Sequence, residues 1–330
     1  MPSARVTIRD VAAAAGVHPS TVSRVLRERS AWPSGTRDRV VSAAERLGYR
    51  PNLLARALST NRAPVAPLLV PDVANAFFPE VALGAEEAAR AAGYALLLCN
   101  TQADPFLERA YLESLVPFQV PFAIVVPGPD SADLIREFAG ACRFVAVDRT
   151  VEGLDVPSVT VDNRLGSRLA TEHLIGLGHH RIACVAGPTD TSTARDRVEG
   201  YRDAVRAADL AAVVVEGGFA AEDGMRAAER FLRLAPRPTG IVAANDLCAI
   251  GIVRVLEDQG VHVPRDVSIV GFDDLAFAGF VRPALTTVHQ PAREMGAAAV
   301  EVAIAALAGR PTESVRLAPR LIVRESTVAP

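Results

Sequence analysis

The sequence predicts an α/β protein in two parts: a small three-helix head, then a much larger body in which strands alternate with helices. Three observations predict it. Residues 7–50 carry helical periodicity punctuated by glycine and no strand-like run. From about residue 65 onward, short apolar runs alternate with helical stretches. Charge divides at the same place: residues 1–62 hold eleven arginines against four carboxylates, a net +7, while the 330-residue chain carries −3, leaving −10 on the remainder.

In the head, Thr7 precedes the first apolar run and Asp10 follows three residues later, a capping-box spacing with Asp in place of Glu. Ile8, Val11, Ala12 and Ala15 share one helical face. Gly16 suits the left-handed residue that ends a helix. Val17 plugs the junction, and Pro19 suits the first turn of the next helix, where its missing N–H costs nothing. Val22, Val25 and Leu26 of that second helix point inward; Ser20, Thr21, Ser23, Arg24 and Arg27 point outward. A third helical run ends at Leu47-Gly48-Tyr49-Arg50.

This is a helix-turn-helix pattern, in which the start of the second helix meets base edges in the major groove. Arginine takes guanine O6 and N7 with two hydrogen bonds, and hydroxyls reach bases or phosphates. Pro19, Ser20 and Arg24 are therefore the expected base-contacting residues. Thr21, Ser23 and Arg27 are better placed for phosphates, which set register without reading sequence. A small bundle with a solvated polar face explains the helix-glycine-helix pattern about as well on its own. The basic head on an acidic body tips the balance, because it is the electrostatic footprint of a nucleic-acid module joined to something else. All basic residues are arginine and lysine is absent, which coding bias explains more simply than function.

The body offers strand candidates at Val65–Val70, Ala95–Cys99, Ala123–Val126, Phe144–Val147, Val159–Val161, Ile182–Ala186, Ala212–Val215, Ile241–Ala243 and Val267–Val270. Helical stretches lie between them, among them Glu80–Ala92, Phe106–Leu115, Leu165–Leu177, Arg195–Ala208, Ala220–Leu234 and Leu247–Gln259. Alternation of this kind implies parallel sheets covered on both faces, and nine strands are many for one sheet, so two lobes are expected. Ligands of such sheets bind beyond the carboxyl ends of the strands. Those positions hold Asp72, Asn75, Phe77, Phe78, Asp148, Arg149, Thr189 to Arg197, Phe219, Asn245, Asp246, Asp273 and Asp274. Carboxylates, an amide, arginine and aromatic faces together suit a small polyhydroxylated ligand. The plainer explanation of any one Asp or Asn after a strand is a helix cap, and it is assigned to Asp246 and Asp274 more than to Asn245 and Asp273.

Chemistry is excluded more easily than found. No GxGxxG follows a strand, and neither GxxxxGK[ST] nor GxSxG occurs. Cys99, Cys142, Cys184 and Cys248 are widely spaced, without a metal-binding pattern, and read as reduced thiols. The six histidines are isolated or sit at a helix end. No catalytic residue, metal or cofactor is expected. The N-terminus leads into no hydrophobic stretch and no run approaches a membrane span, so a cytoplasmic, non-membrane protein is expected.

Between head and body, Leu53–Thr60 is helical in propensity but only about two turns long, too short to be stable alone in water. Leu58 in it has no evident core: it is either packed on its own domain or a wedge for the minor groove.

The chain resembles the lactose-repressor/galactose-repressor (LacI/GalR) family of bacterial transcription regulators. The resemblance runs through nearly the whole chain and is most specific at Thr7 to Leu26, Leu47 to Leu58, Val161 to Arg164, Ala194 to Tyr201, Ala244 to Asp246, Gly271 to Asp274 and Leu285 to Thr287. It implies residues 1–50 as the DNA-binding head, 51–62 as a hinge helix, and 63–330 as a periplasmic-binding-protein-like body. The body's lobes are expected at roughly 63–162 plus 291–320 and 163–290 plus 321–330. It implies a homodimer, with a tetramer open, on a near-palindromic operator in double-stranded DNA. Thr7 joins the DNA-facing residues, with Leu58 as the minor-groove lever and Asn52 and Arg56 at the hinge. A small-molecule effector, most often a sugar, is implied at Asn75, Phe77, Phe78, Asp148, Thr193, Arg197, Phe219, Asn245 and Asp273. His18 departs from the usual Ser cap, Arg27 from a common Asn, Pro67 from a Gly in the first body strand, and Val120-Pro121-Phe122 from Val-Asp-Gly.

The expected function is a ligand-switched repressor of a carbohydrate or related operon. Two alternatives stand beside it: a regulator sensing a nucleobase or other metabolite, and a sugar-binding protein of a transport system, which calls for an export signal and no basic head. A head fused to an α/β enzyme would call for a nucleophile–base pair or metal cluster in the cleft.

Overall fold

Thr7 and Gly16 bracket the first helix, α1 (Ile8–Ala15). The Asp10 carboxylate accepts both the Thr7 amide and the Thr7 hydroxyl at 2.7 Å, and the amide bond above all holds Asp10 below its usual carboxylate range. Gly16 adopts φ +65°, a conformation costly to residues with a Cβ. Helices α2 (Pro19–Arg27) and α3 (Ser34–Leu47) follow. Val11, Ala12, Ala15, Val22, Val25, Val40, Ala43 and Ala44 close a core between the three, with Val17 and Leu26 against its edge. The computed structural model describes residues 6–27, 34–49 and 63–330. The chain divides into two units, Met1–Ala63 and Pro64–Pro330. The expected hinge helix at 51–62, with Asn52, Arg56 and Leu58, lies outside the described residues, as does the Arg27 side chain.

The body carries two six-stranded sheets. The first is built from β1 (Val65–Val70), β2 (Ala95–Asn100), β3 (Phe122–Val125), β4 (Arg143–Val147), β5 (Ser158–Val161) and β11 (Val315–Leu317), in the order β11-β5-β4-β3-β1-β2, all parallel. The second holds β6 (Ile182–Ala186), β7 (Val213–Glu216), β8 (Gly240–Val242), β9 (Ser268–Asp273), β10 (Thr286–His289) and β12 (Arg320–Ile322), in the order β12-β10-β9-β8-β6-β7, with β12 antiparallel to β10. Nine strands match the apolar runs to within a residue or three. The three not foreseen, β10 to β12, are short and mixed in polarity, and they complete sheets whose other strands are already apolar.

The central strands of each sheet are buried on both faces, and the side-chain period of two shows it. Leu68 and Val70 join one core while Leu69 joins another. In the second sheet Ile241 and Ile269 lie on one side, Val242 and Val270 on the other. That is why these strands read as continuous apolar runs. Pro67 fits within β1 because pairing to β3 begins at Leu68, so its missing N–H removes no bond to that neighbour. Pro121 sits just before β3.

Covering the sheets are α4 (Phe77–Ala91), α5 (Pro105–Leu115), α6 (Ser131–Phe138), α7 (Asn163–Gly176), α8 (Ser192–Ala207), α9 (Ala221–Leu232), α10 (Asp246–Asp258) and α11 (Ala292–Leu307). α4 and α11 cross at close quarters: a Cβ on Gly84 would lie 1.9 Å from the Arg293 carbonyl oxygen, and one on Gly296 1.9 Å from that of Val81. The chain passes from one sheet to the other three times, after β5, after β10, and between Leu317 and Arg320. Arg320 thus pairs in the second sheet, not with the first lobe as its expected limit had it.

Candidate functional site

Two surfaces hold the singled-out residues. On the head, Ser20, Ser23 and Arg24 of α2 are exposed, and Pro19 and Thr21 are half-buried. Val22 and Val25 point into the core at 0% exposure. This split follows from helical geometry, since residues 22 and 25 share a face and 20, 23 and 24 lie around the other side. Thr7 is exposed at the start of α1, its hydroxyl committed to Asp10. His18 caps α2 in an unforeseen manner. Its Nδ1 accepts the Ser20 amide at 3.3 Å and lies 2.8 Å from the Ser20 hydroxyl.

In the body, all nine residues expected around an effector line one cavity of about 730 Å³. It lies between the two lobes, beyond the carboxyl ends of the strands. Asn75, Phe77 and Phe78 enter from the start of α4, Asp148 from the end of β4, Thr193 and Arg197 from α8, Phe219 from the loop after β7, Asn245 from the start of α10, and Asp273 from the end of β9. Phe77 and Phe78 pack edge to face with centroids 5.3 Å apart. Asp148 and Asp273 hold φ of +70° and +116°. Such conformations cost a non-glycine residue free energy and cluster at functional sites.

Arg197 is the centre of the wall and is 7% exposed. Its Nε donates to Asn163 Oδ1 at 2.8 Å and its Nη1 to the Ala244 carbonyl at 2.6 Å. Its guanidinium carbon stands 3.7 Å from the centroid of the Phe272 ring and 5.8 Å from that of Phe219. Asp273 faces it at 3.8 Å and accepts from Gln290 Nε2 at 2.6 Å. Burial pulls the guanidinium below its ordinary range, opposed by the charges of Asp273 and Asp148. The Asp273 carboxyl is pushed up to about 7, by burial first, with Arg197 and Gln290 pulling the other way. Burial likewise raises Asp148, against Arg149 and Arg197.

The caps fell differently from expectation. Asn245, not Asp246, caps α10: its Oδ1 accepts the Cys248 amide at 2.9 Å while its Nδ2 donates to the Phe219 carbonyl at 3.0 Å. Asp246 is buried behind the wall, accepting from Leu275 N and Thr287 Oγ1. Burial, then the charge of Asp273, raises its carboxyl well above the usual range. Asp274 turns away to Arg324 at 2.6 Å and His289 at 3.0 Å. The run Gly271-Phe272-Asp273-Asp274 thus acquires a residue-by-residue account. A Cβ on Gly271 would meet Asp246 Oδ1 at 2.2 Å, Phe272 lies against Arg197, Asp273 faces it, and Asp274 ties β9 to the C-terminal segment.

Three further residues of the wall or its support, Asn163, Gln290 and Glu108, drew no assignment from sequence reasoning, and Arg149, expected past the end of β4, joins them. Asn163 orients Arg197 and stands in the Val161–Arg164 run already noted. Gln290 holds Asp273, and its Oε1 has no hydrogen-bond partner among the described residues. Arg149 lies 3.4 Å from Asp148 and donates to the Pro127 carbonyl at 3.2 Å. Glu108, buried, shares the Ser131 hydroxyl between its two oxygens at 2.8 and 2.9 Å, and burial raises its carboxyl. A helical glutamate far along the chain carries no local signal that it reaches the cleft.

A helix-turn-helix head with an exposed polar face, joined in one chain to a two-lobed α/β body with a ligand-sized cleft, defines a class of ligand-binding transcription regulators. Residues 7–52 match the family model for bacterial regulatory proteins of the lacI family, and residues 171–327 match that for a periplasmic binding protein-like domain. The chain is 33% identical over 327 residues to the HTH-type transcriptional repressor PurR of Photobacterium profundum, covering 97% of this chain and 98% of the relative. It is 35% identical over 324 residues to the ribose operon repressor of Halalkalibacterium halodurans, covering 97% of each. Its fold matches the lac repressor dimer bound to operator and the anti-inducer ONPF with a TM-score of 0.85, at 26% identity over 99% of this chain and 100% of that one. The chain belongs to the lacI family of bacterial regulatory proteins. It is a DNA-binding transcriptional regulator with a ligand-binding body.

Proposed function

We propose that this regulator is a repressor that binds a near-palindromic operator as a homodimer and is switched by a small neutral polyhydroxylated effector, a sugar, in the cleft around Arg197. The observation that carries the reading is the Arg197–Asp273–Gln290 chain on the cleft wall, flanked by aromatic rings. A fork of donors, an acceptor pair and an amide suit neighbouring hydroxyls, and the ring faces suit a sugar's C–H face. The similarity to a ribose operon repressor supports a sugar. Charge supports a neutral one: eight carboxylates line the cavity against two arginines, a balance that repels phosphates and carboxylates.

Purine bases are the second reading. The similarity to PurR and the planar faces of Phe77, Phe78 and Phe219 favour it. On either reading the cleft is a binding site rather than a catalytic one, a reading supported by the similarity to transcriptional repressors. Among the described residues no helix is long and apolar enough to cross a membrane. A bacterial regulator that binds an operator acts where the DNA is, in the cytoplasm.

The test is calorimetric titration of the full chain with neutral pentoses, hexoses and disaccharides, their phosphates, and purine bases. Binding of a neutral sugar that Arg197→Ala abolishes supports the proposal. Binding of purines alone transfers it to the second reading, and turnover of any ligand refutes both.

A further inference from the structure

We propose that His18 fixes the hydrogen-bond polarity of Ser20, so that the Ser20 hydroxyl meets the major groove as an acceptor only and selects a cytosine or adenine amino group over guanine or thymine. The inference rests on reading α2 as the base-contacting helix and adds a chemical rule to one of its residues.

The argument begins at the start of α2. The first amides of a helix lack intrahelical partners. Pro19 has none to satisfy, so Ser20 carries the first exposed one. The backbone carbonyl of His18 takes the Thr21 and Val22 amides at 2.8 and 3.2 Å. The Ser20 amide turns to His18 Nδ1 at 3.3 Å. An N–H donates only to a lone pair, so Nδ1 is unprotonated and the ring proton sits on Nε2. The same Nδ1 stands 2.8 Å from Ser20 Oγ. Because Nδ1 carries no hydrogen, the serine hydroxyl must be the donor in that contact.

A serine hydroxyl has one hydrogen and two lone pairs. With the hydrogen spent on the imidazole, only the lone pairs face outward from this exposed side chain. In the major groove, cytosine presents an N4 amino donor and adenine an N6 amino donor. Guanine presents only acceptors, and thymine an acceptor and a methyl group. An acceptor-only serine therefore discriminates, whereas a freely rotating one serves either kind of edge. A Ser or Ala at position 18 has no ring nitrogen to hold the hydroxyl. Asn would, since its Oδ1 lies as many bonds from Cα as the histidine Nδ1.

The test is selection of bound duplexes from a randomised double-stranded DNA library by the full chain and by Ser20→Ala, His18→Ala and His18→Asn, each confirmed folded by circular dichroism. At the base-pair step whose preference Ser20→Ala erases, the wild type should favour C or A by about tenfold, within the range of a good base contact. His18→Ala should let G and T in at that step while leaving the Arg24-dependent steps unchanged, and His18→Asn should keep the preference. A wild-type preference for G or T there, or a preference that His18→Ala leaves intact, overturns the inference while the base-contact reading stands. If Ser20→Ala changes no step, that reading of Ser20 fails, and the inference with it.

Discussion

At the scale of single residues, the functional side chains are those whose burial and charge conflict. Arg197 is a buried cation held by two acceptors and two rings, and cutting it back leaves Asp273 without its facing cation, while Asp148 keeps Arg149. Asp273 gives a pH signature. A ligand hydroxyl that donates to it needs the carboxylate, and with that carboxyl raised to about 7, protons compete with ligand below neutrality. Ligand affinity should rise as pH climbs from 5 to 7, by up to about tenfold per unit, and level off above; calorimetry across that range reads it. Asp273→Asn should flatten the profile. The unliganded fold responds with the opposite sign: the contribution of this raised carboxyl is present below the ordinary carboxylate range and is lost as pH rises through about 7. On the head, Arg24→Ala should lower affinity for the operator by about 1–3 kcal/mol more than for random duplex, as competition binding will measure. Equal loss on both would make Arg24 a phosphate contact.

At the scale of elements, helix pairs are placed by glycine. Gly84 and Gly296 let α4 and α11 approach until a methyl group has no room on either, and Gly224 and Gly251 do the same for α9 and α10. Gly296→Ala should destabilise the body by about 1–3 kcal/mol or more through overpacking against backbone, which cannot yield as a side chain does. Denaturant titration should show it as a lower midpoint. Gly176→Ala in α7 is the control: nothing lies within 4 Å of its added Cβ, so the change should be neutral or stabilise by about 0.5–1 kcal/mol. A glycine within a helical stretch by itself only weakens a helical reading. The reason for the close-packed ones is a partner helix, which no local pattern names.

At the scale of the whole molecule, regulation is a coupling free energy between ligand and DNA. An effector changes operator affinity only by its differential affinity for the DNA-bound and free forms. A coupling of about 1–3 kcal/mol would move occupancy about 5–150-fold. Arg197→Ala should keep operator affinity within a few-fold of wild type and abolish its change on adding ligand; fluorescence anisotropy with labelled operator reads both. A mutant that still responds would remove Arg197 from the switch.

The sequence by itself determined the class of fold, nine of the strands, the helical head with its outward Ser20, Ser23 and Arg24, and the wider set of positions past strand ends from which the cleft is lined; the nine were singled out from that set by the family resemblance. The rest are local facts: apolar period, cap chemistry, charge, and the rule that ligands collect past strand ends. Tertiary structure decided what depends on who faces whom. It made Asn245 the cap and buried Asp246, brought Asn163 and Gln290 to Arg197 and Asp273 from 34 and 17 residues away, and set Glu108 into the wall. It added three short strands whose stability comes from their neighbours, and it turned the histidine before α2 back onto Ser20. Hydrogen-bond partners and desolvation are properties of the packed chain, and a carboxylate's role follows from them rather than from its place in the sequence.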